Sequence, residues 1–572
     1  MSTNFNGQVL TQPQARTQFN GTALVPASPA QPAPHTLVLI GPANQGPNAL
    51  QTITSVSDIQ TMLGIDSDLA NAAALALNPS PSTGGANPLK VWNVNPTTQG
   101  TINLQSSGAV TQIALTTTRW GQAANYIKVA VSAGSLAGYT VTVADDYSGG
   151  SVTLHDQALN VFAVWYSGTG TSPTVTVTDS AVTLTATTSD TGGTIDLTSN
   201  LTVSQLVSQI NALSGWNATV LDPNPDDLAH ALMDNVASVA VGTTSATATT
   251  LTANITAVVR GLSGPAQTWV TAVREANATA LATTGAYTYA TGGSTGSATT
   301  TNWQAAYTAL QAETDVLWVV PVTSESTIWA MNQAHCQLMD GQGYGRSGVV
   351  GGDSGTTVSQ AQTNAAGLAS AYTSYLVNGL QGTNLQKQAV TFAPYLVAAQ
   401  VAGLMAGQAL NQSPTLKALN ATGLEQTFAS SSIDTLINSG CLVLKVYNGQ
   451  YVIAKGQTTA ALNPNATVDQ VQMQAVNEVF TLEYGLNSLL SAYVGQPITS
   501  TTAAEVQSDV YRYLKTKAAA PTPILQSAPA LASIQVTISG TVISVAAPAS
   551  PTIGADFVLT TLSASVDTAQ AA

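Results

Sequence analysis

VLWVVPV, residues 316–322, is an unbroken apolar run rich in valine. Such a run, bounded by polar residues, reads as a strand covered on both faces. Ser324–Asp340 follows with helical spacing, then a glycine turn at Gly341, Gly343 and Gly345, then a second apolar run at Gly348–Gly351. The alanine-rich stretch Ser359–Val377 predicts a helix, and Tyr395–Leu410, just after Pro394, predicts another. Gly440–Ala454 predicts two short strands around Asn448-Gly449. Strand, helix, strand, helix, helix, hairpin is the pattern of an α/β or α+β core, centred on Glu313–Thr459.

Working outward, Thr36–Ile40 predicts a strand, Ser55–Leu63 and Ser67–Leu77 predict helices, the second capped by Ser67 or Asp68, and Leu89–Val94 predicts another strand. This βααβ unit fits the first part of the same core, so the core is expected to be discontinuous in sequence. After Asn95 the style changes to short runs rich in valine and threonine: Ile113–Thr116, Ile127–Val131, Tyr139–Val143, Ser151–Leu154, Val161–Tyr166 and Val175–Val177. They predict a β-rich insertion over 101–232, carrying one helix at Val203–Leu213 with Leu206, Val207 and Ile210 on one face. A second inserted αβ segment is expected over 233–290, and Gly292–Thr301 reads as the junction back to the core, followed by a helix at Trp303–Leu310. Further on, Gln470–Val494 carries an apolar helical stripe and Ala503–Lys515 a second one. Ile534, Val536 and Ile538 alternate, as do Ile543 and Val545, predicting a hairpin around Ser539-Gly540.

Both ends look detachable. Residues 1–26 are mostly polar and precede the extended spacer Pro26–Pro34, PASPAQPAP. At the other end a strand-like segment, Phe557–Val566, follows Pro551. The domain plan is therefore an N-terminal arm (1–26), first core part (27–100), the two inserted parts, main core and C-terminal domain (291–549), and a C-terminal arm (550–572).

Charge is scarce. Only 7% of the 572 residues are Asp, Glu, Lys or Arg, against about 25% in an average domain, and the net charge is −14. An acidic, charge-poor chain is a poor phosphate binder, which disfavours nucleic acid. Low charge also lets copies pack side by side with little repulsion. Met1–Gly7 lacks a basic region before an apolar run, so no secretion signal is expected. No apolar run reaches the roughly 18 residues of a membrane span. Cys336 and Cys441 make no disulfide framework and read as buried thiols.

Candidate chemistry is thin. His335-Cys336 are helix neighbours and point apart, and Asp340 would raise a thiol pKa rather than lower it. A packed helix face accounts for them better than a nucleophile. The histidines, His35, His155, His230 and His335, have no metal-ligand spacing. GQGYGR, 341–346, has glycines like a phosphate loop but no following Lys-Ser/Thr, and reads as a structural turn. The cluster Asp222, Asp226 and Asp227 lacks the glycine and closing glutamate of a calcium loop. Ala399, Gly403 and Gly407 stand four apart and would let a neighbouring element approach closely. No catalytic residue, cofactor or metal site is assigned.

Several pieces arrive in a familiar order: TLVLIGPANQGPNALQTITSVSDIQTMLG (36–64), a Gly-Gly-x-x-Gly junction, helix and strand over Ala290–Pro321, AHCQLMDGQGYGRSGVVG (334–351), the helix Ala393–Leu410, DTLINSGCLVLKVYNGQYVIAKGQTT (434–459) and the long helix Asn477–Pro497. This order resembles contractile tail sheath proteins over residues 27–100 and 290–572. The resemblance implies a non-enzymatic structural subunit that forms stacked hexameric rings in a helical array around a tail tube protein. It implies contacts with baseplate and tail terminator proteins, assembly in the host cytoplasm, a place in the virion tail or a contractile injection particle, and no membrane insertion. Contraction would drive the tube through a target envelope. It also implies strand exchange between neighbours, assigned here to Val9 and Leu10 in the N-terminal arm and to Phe557, Leu559 and Val566 in the C-terminal arm. The competing reading is a self-assembling surface-layer or adhesin-like protein, which suits a threonine-rich β chain but calls for a secretion signal.

Overall fold

The computed structural model describes residues 3–5, 8–10, 35–187, 192–230, 232–519 and 521–556. The chain forms two compact units, one of residues 1–43, 48–95 and 297–572, the other of residues 44–47 and 96–296. It is a mixed α/β protein.

The first unit is built on a seven-stranded sheet in the order Cys441–Leu442, Thr373–Leu376, Ser347–Gly351, Val316–Pro321, Thr36–Gly41, Leu89–Asn93, Leu50–Ile53. Every pairing is parallel except that of the outermost strand, Leu50–Ile53. Parallel strands need both faces covered, and the central ones are buried at every position for that reason. In Thr36–Gly41, Leu37 and Leu39 face one core cluster while Val38 and Ile40 face another. Val316–Pro321 does the same with a shift: Leu317, Trp318 and Val320 join the first cluster and Val316 and Val319 the second. The pairing with Thr36–Gly41 slips between Val316 and Trp318, and that irregularity is why the alternation slips too.

Pro394–Gly407 packs across the sheet and is buried on nearly all sides. Its proline sits in the first turn, where a missing N–H costs nothing. The small-residue face does what the sequence predicts. A Cβ on Gly403 would stand 2.4 Å from the carbonyl oxygen of Ala76, at the end of the helix Asp68–Leu77, and one on Gly407 would meet the backbone of Gly84. Gly403→Leu is therefore expected to destabilise this unit by about 3 kcal/mol through overpacking, read as a lower denaturant midpoint at unchanged m-value.

The stretch after Thr357 differs from expectation. Ser359–Val377 is not one helix: the helix is Val358–Leu368, ending at Ala369 with φ of 37°, and Thr373–Leu376 is a fully buried strand of the central sheet. Alanines extend the helical pattern, but the β-branched and aromatic TSYL between two parallel neighbours takes the strand state.

The second unit is β-rich, with two apolar cores. One core lies within sheets formed by Gln99–Gln105, Thr111–Trp120, Ile127–Ala133, Tyr139–Asp145, Gly150–Gln157, Val270–Arg274 and Tyr287–Tyr289, closed by the helix Asn254–Leu262. The other is surrounded by Asn160–Tyr166, Thr171–Val177, Ala181–Thr187, Gly193–Asp196, Trp216–Val220, Val236–Ala240 and Thr249–Thr252 with the helix Val203–Asn211. The division expected at residue 232 is corrected here. Val236–Ala240 pairs with Thr171–Val177, and Val270–Arg274 with Thr111–Trp120, so the later strands complete sheets begun by the earlier ones. Short strands leave the pairing partner unspecified by local sequence, which is why that boundary was misplaced.

The outer faces show how a chain poor in charge holds its strands. Thr174 and Thr185 share a hydrogen bond across strands at 2.7 Å, Thr171 and Thr187 at 2.6 Å, Thr142 and Thr153 at 3.1 Å. Each such pair contributes a few tenths of a kcal/mol, independent of salt.

The departure and return of this unit form a neck. Asn95 Oδ1 accepts from the Ala298 N–H at 3.1 Å on the core side. On the other side the Thr98 N–H donates to the Ser294 carbonyl at 2.9 Å, and the Ser294 N–H to Thr98 Oγ1 at 2.9 Å.

Candidate assembly site

The C-terminal part of the first unit rests on two helices, Met473–Ser491 and Thr502–Ala519. Val506, Val510 and Leu514, four apart, are fully buried and make one apolar face. On it lies the predicted hairpin, Gln535–Ser539 with Val542–Ala546, turning at Gly540 with φ of 61°. Val536, Ile543 and Val545 pack toward the helix, while Gln535, Thr537, Ser539 and Ser544 are exposed. The sheet has these two strands alone among the described residues, so both of its outer edges carry unpaired backbone groups. Two-stranded sheets are marginal by themselves and open edges template further strands.

Of the residues assigned to strand exchange, Val9 and Leu10 lie in the strand Gln8–Leu10, which pairs antiparallel with Thr3–Phe5 in register Asn4–Val9 and Thr3–Leu10. Phe557, Leu559 and Val566 lie outside the described residues. The structure pairs Val9 and Leu10 with Thr3–Phe5 and not with the hairpin.

Sequence reasoning missed a polar group beside it. The stripe read on 470–494 treats the helix as amphipathic, yet its first half is buried all round, including Gln474, Asn477, Glu478, Thr481 and Glu483. Glu478, fully buried, accepts the Thr552 N–H at 2.7 Å and also bonds the Thr552 hydroxyl. Gln474 donates to Thr552 Oγ1 at 2.9 Å. Gln472 pairs with Gly554 in both directions, accepting its N–H at 3.0 Å and donating to its carbonyl at 3.1 Å. Polar residues at 474 and 478, one turn apart, were the available signal, but a polar helix face normally reads as solvated.

Burial pushes the Glu478 carboxyl up to about 8, against the opposing pull of its hydrogen bonds from Thr552 and Gln474. A carboxyl raised in this way keeps its proton in the folded chain after the unfolded chain has lost it. Its contribution to stability is full below about pH 4.5 and is lost as pH rises to about 8. Glu478→Gln is therefore expected to match wild type near pH 4.5 and to exceed it in melting temperature progressively toward pH 8. Comparing the two chains across that range isolates Glu478 from His335, whose contribution runs the other way with pH.

His335 belongs to a structural knot. Arg346, fully buried, donates to the Leu310 carbonyl at 3.1 Å, to His335 Nε2 at 2.7 Å and to the Glu313 carbonyl. Burial, with the Arg346 charge, lowers the His335 pKa to about 3, so the imidazole is neutral. Burial raises the Cys336 thiol to about 12, the opposite of an activated nucleophile. The glycine turn before Arg346 is packing as well: a Cβ on Gly345 would strike the ring of Phe480. In the acidic cluster, Asp227 pairs with Arg260 of the helix Asn254–Leu262 at 2.5 Å, and Asp222 accepts the Asn224 N–H at 2.9 Å within the turn. No helix of the described residues is long and apolar enough to cross a membrane.

Three comparisons bear on this arrangement. Residues 296–459 match the family described as the phage tail sheath protein central domain. The chain is 23% identical over 506 residues to a protein of Enterococcus phage phiEF24C described as a tail sheath protein, covering 84% of this chain and 85% of that one. Its fold is similar to the crystal structures of sheath tail proteins from Listeria innocua (TM-score 0.57, 12% identity, 92% and 93% of the two chains) and Desulfitobacterium hafniense (TM-score 0.53, 14% identity, 92% and 95%). The family match covers the stretch that organises the core, and the phage relative aligns along most of the chain on both sides of it. Residues 296–459 thus carry the phage tail sheath central domain, and the chain as a whole is similar to tail sheath proteins in sequence and in fold.

Proposed function

We propose that this chain is the subunit of a sheath that polymerises as stacked hexameric rings around a tail tube and contracts to drive the tube through a target envelope. The observation that carries the proposal is the Gln535–Ala546 hairpin with two open edges, in a chain whose N-terminal residues already take strand conformation. Val9 and Leu10 from one neighbour and Phe557, Leu559 and Val566 from another would add strands to those edges, which is β-augmentation between chains. Backbone pairing of this kind holds subunits together while their cores rotate past one another. The low charge suits the same role, since neighbours meet with little repulsion. Contraction is then a release from one packing into a more stable one and needs no nucleotide. Baseplate and terminator proteins would cap the array, which would be assembled in the host cytoplasm without nucleic-acid or membrane contacts.

Negative-stain electron microscopy of the purified chain, concentrated alone and mixed with purified tail tubes, tests this. Hollow tubes or cogwheel-like rings are expected. Flat lattices would point to a surface-layer protein instead, and dispersed chains under both conditions would refute polymerisation around a tube.

A further inference from the structure

Residues 551–556 are held by polar side chains of the C-terminal part of the first unit. Thr552 and Gly554, two positions apart, are held by side chains of Met473–Ser491 and its N-cap, whereas Ile553 between them is 53% exposed. Gln472 meets Gly554 with a side-chain amide that reproduces both bonds of a strand pair. Glu478 takes the Thr552 N–H, and Gln474 the Thr552 hydroxyl. Both ends of the segment are tied as well. Gln526 donates to the Pro551 carbonyl at 2.9 Å, and Lys455 stands 3.5 Å from Asp556. The fit is also steric, because a Cβ on Gly554 would lie 2.9 Å from the Ser413 Cβ and 3.0 Å from Gln474 Oε1.

Burying a carboxyl group and two amides is costly unless they meet partners. The partners here are supplied mainly by the backbone of one short extended segment. We infer that Glu478, Gln474 and Gln472 form an anchor that binds residues 552–554 as an extended peptide and so fixes where the C-terminal arm leaves its own subunit. The inference rests on the arm reading given above and adds positioning residues to it. An arm that must reach one edge of a neighbour's hairpin has a reach set by its root. A fixed root raises the arm's effective concentration at that edge, and a loose one dilutes it.

The test uses changes on the bound segment, which leave the helix intact. Thr552→Val removes the hydroxyl contacts, and Gly554→Ala adds the clashing Cβ. Hydrogen-exchange mass spectrometry is expected to show the peptide covering 551–556 exchanging about tenfold faster or more than wild type, with Met473–Ser491 still protected. The same chains are expected to give fewer and irregular tubes by electron microscopy. Glu478→Gln, which keeps an oxygen acceptor, is expected to retain more protection at 551–556 than Glu478→Ala. Unchanged exchange in both segment variants overturns the anchor. So does faster exchange with tubes as frequent and regular as wild type. A wild-type chain that forms no tubes under either condition counts instead against the sheath-polymer reading, and the exchange comparison still decides whether the anchor exists.

Discussion

A chain lacking residues 1–26 is expected to fold as the full chain does and to form no tubes. The core begins at the strand Thr36–Gly41, whose partners are Leu89–Asn93 and Val316–Pro321. The N-terminal strands pair with each other and with no core strand among the described residues. Their removal thus costs the core nothing, while under the proposed strand exchange it deletes one donated strand at every subunit contact. Loss repeated at each contact of a polymer is not compensated elsewhere, so the effect on assembly is all or none. Circular dichroism and thermal melting check the fold, and electron microscopy checks the tubes. Tubes formed by the truncated chain would remove strand exchange by Val9 and Leu10 from the account. Leu10→Pro, which deletes a backbone donor, is expected to weaken assembly in the same direction.

The second large effect is at Arg346. Arg346→Ala would leave the carbonyls of Leu310 and Glu313 and His335 Nε2 without their donor, and would leave a void where a fully buried side chain stood. Each stranded acceptor costs about 1–3 kcal/mol, so a loss of about 4 kcal/mol or more is expected, enough to unfold a marginal domain. Arg346→Lys rescues little, because one ammonium cannot serve acceptors that a planar fork spans. Calorimetry should show the transition of the core-containing unit fall while that of the inserted unit stays in place. An unchanged lower transition would mean that the knot is dispensable.

What the sequence made legible follows from how local each signal is. Val316–Pro321 was readable because burial on both faces demands apolar residues at every position. The hairpin at 535–546 was readable because one covered face gives strict alternation. Thr373–Leu376 was lost in an alanine-rich neighbourhood, since its strand state is set by flanking strands far away in sequence. The strands Leu50–Ile53 and Leu380–Thr383 with Ala389–Phe392 were missed because they are short and polar-interrupted. The anchor at Glu478 was illegible for a further reason. It recognises backbone 74 positions away, and backbone leaves no compositional trace. Its own residues look like a wetted helix face until the fold buries them.

The neck at Asn95–Ala298 and Thr98–Ser294 has a consequence for descent. With its two ends pinned together, the span between counts toward the core as one closed loop, whose entropy changes by only about 0.6 kcal/mol for each doubling of length. A lineage can therefore lengthen or shorten that span in a single recombination event at little entropic cost to the core. The two parts of one gene are then free to diverge at different rates.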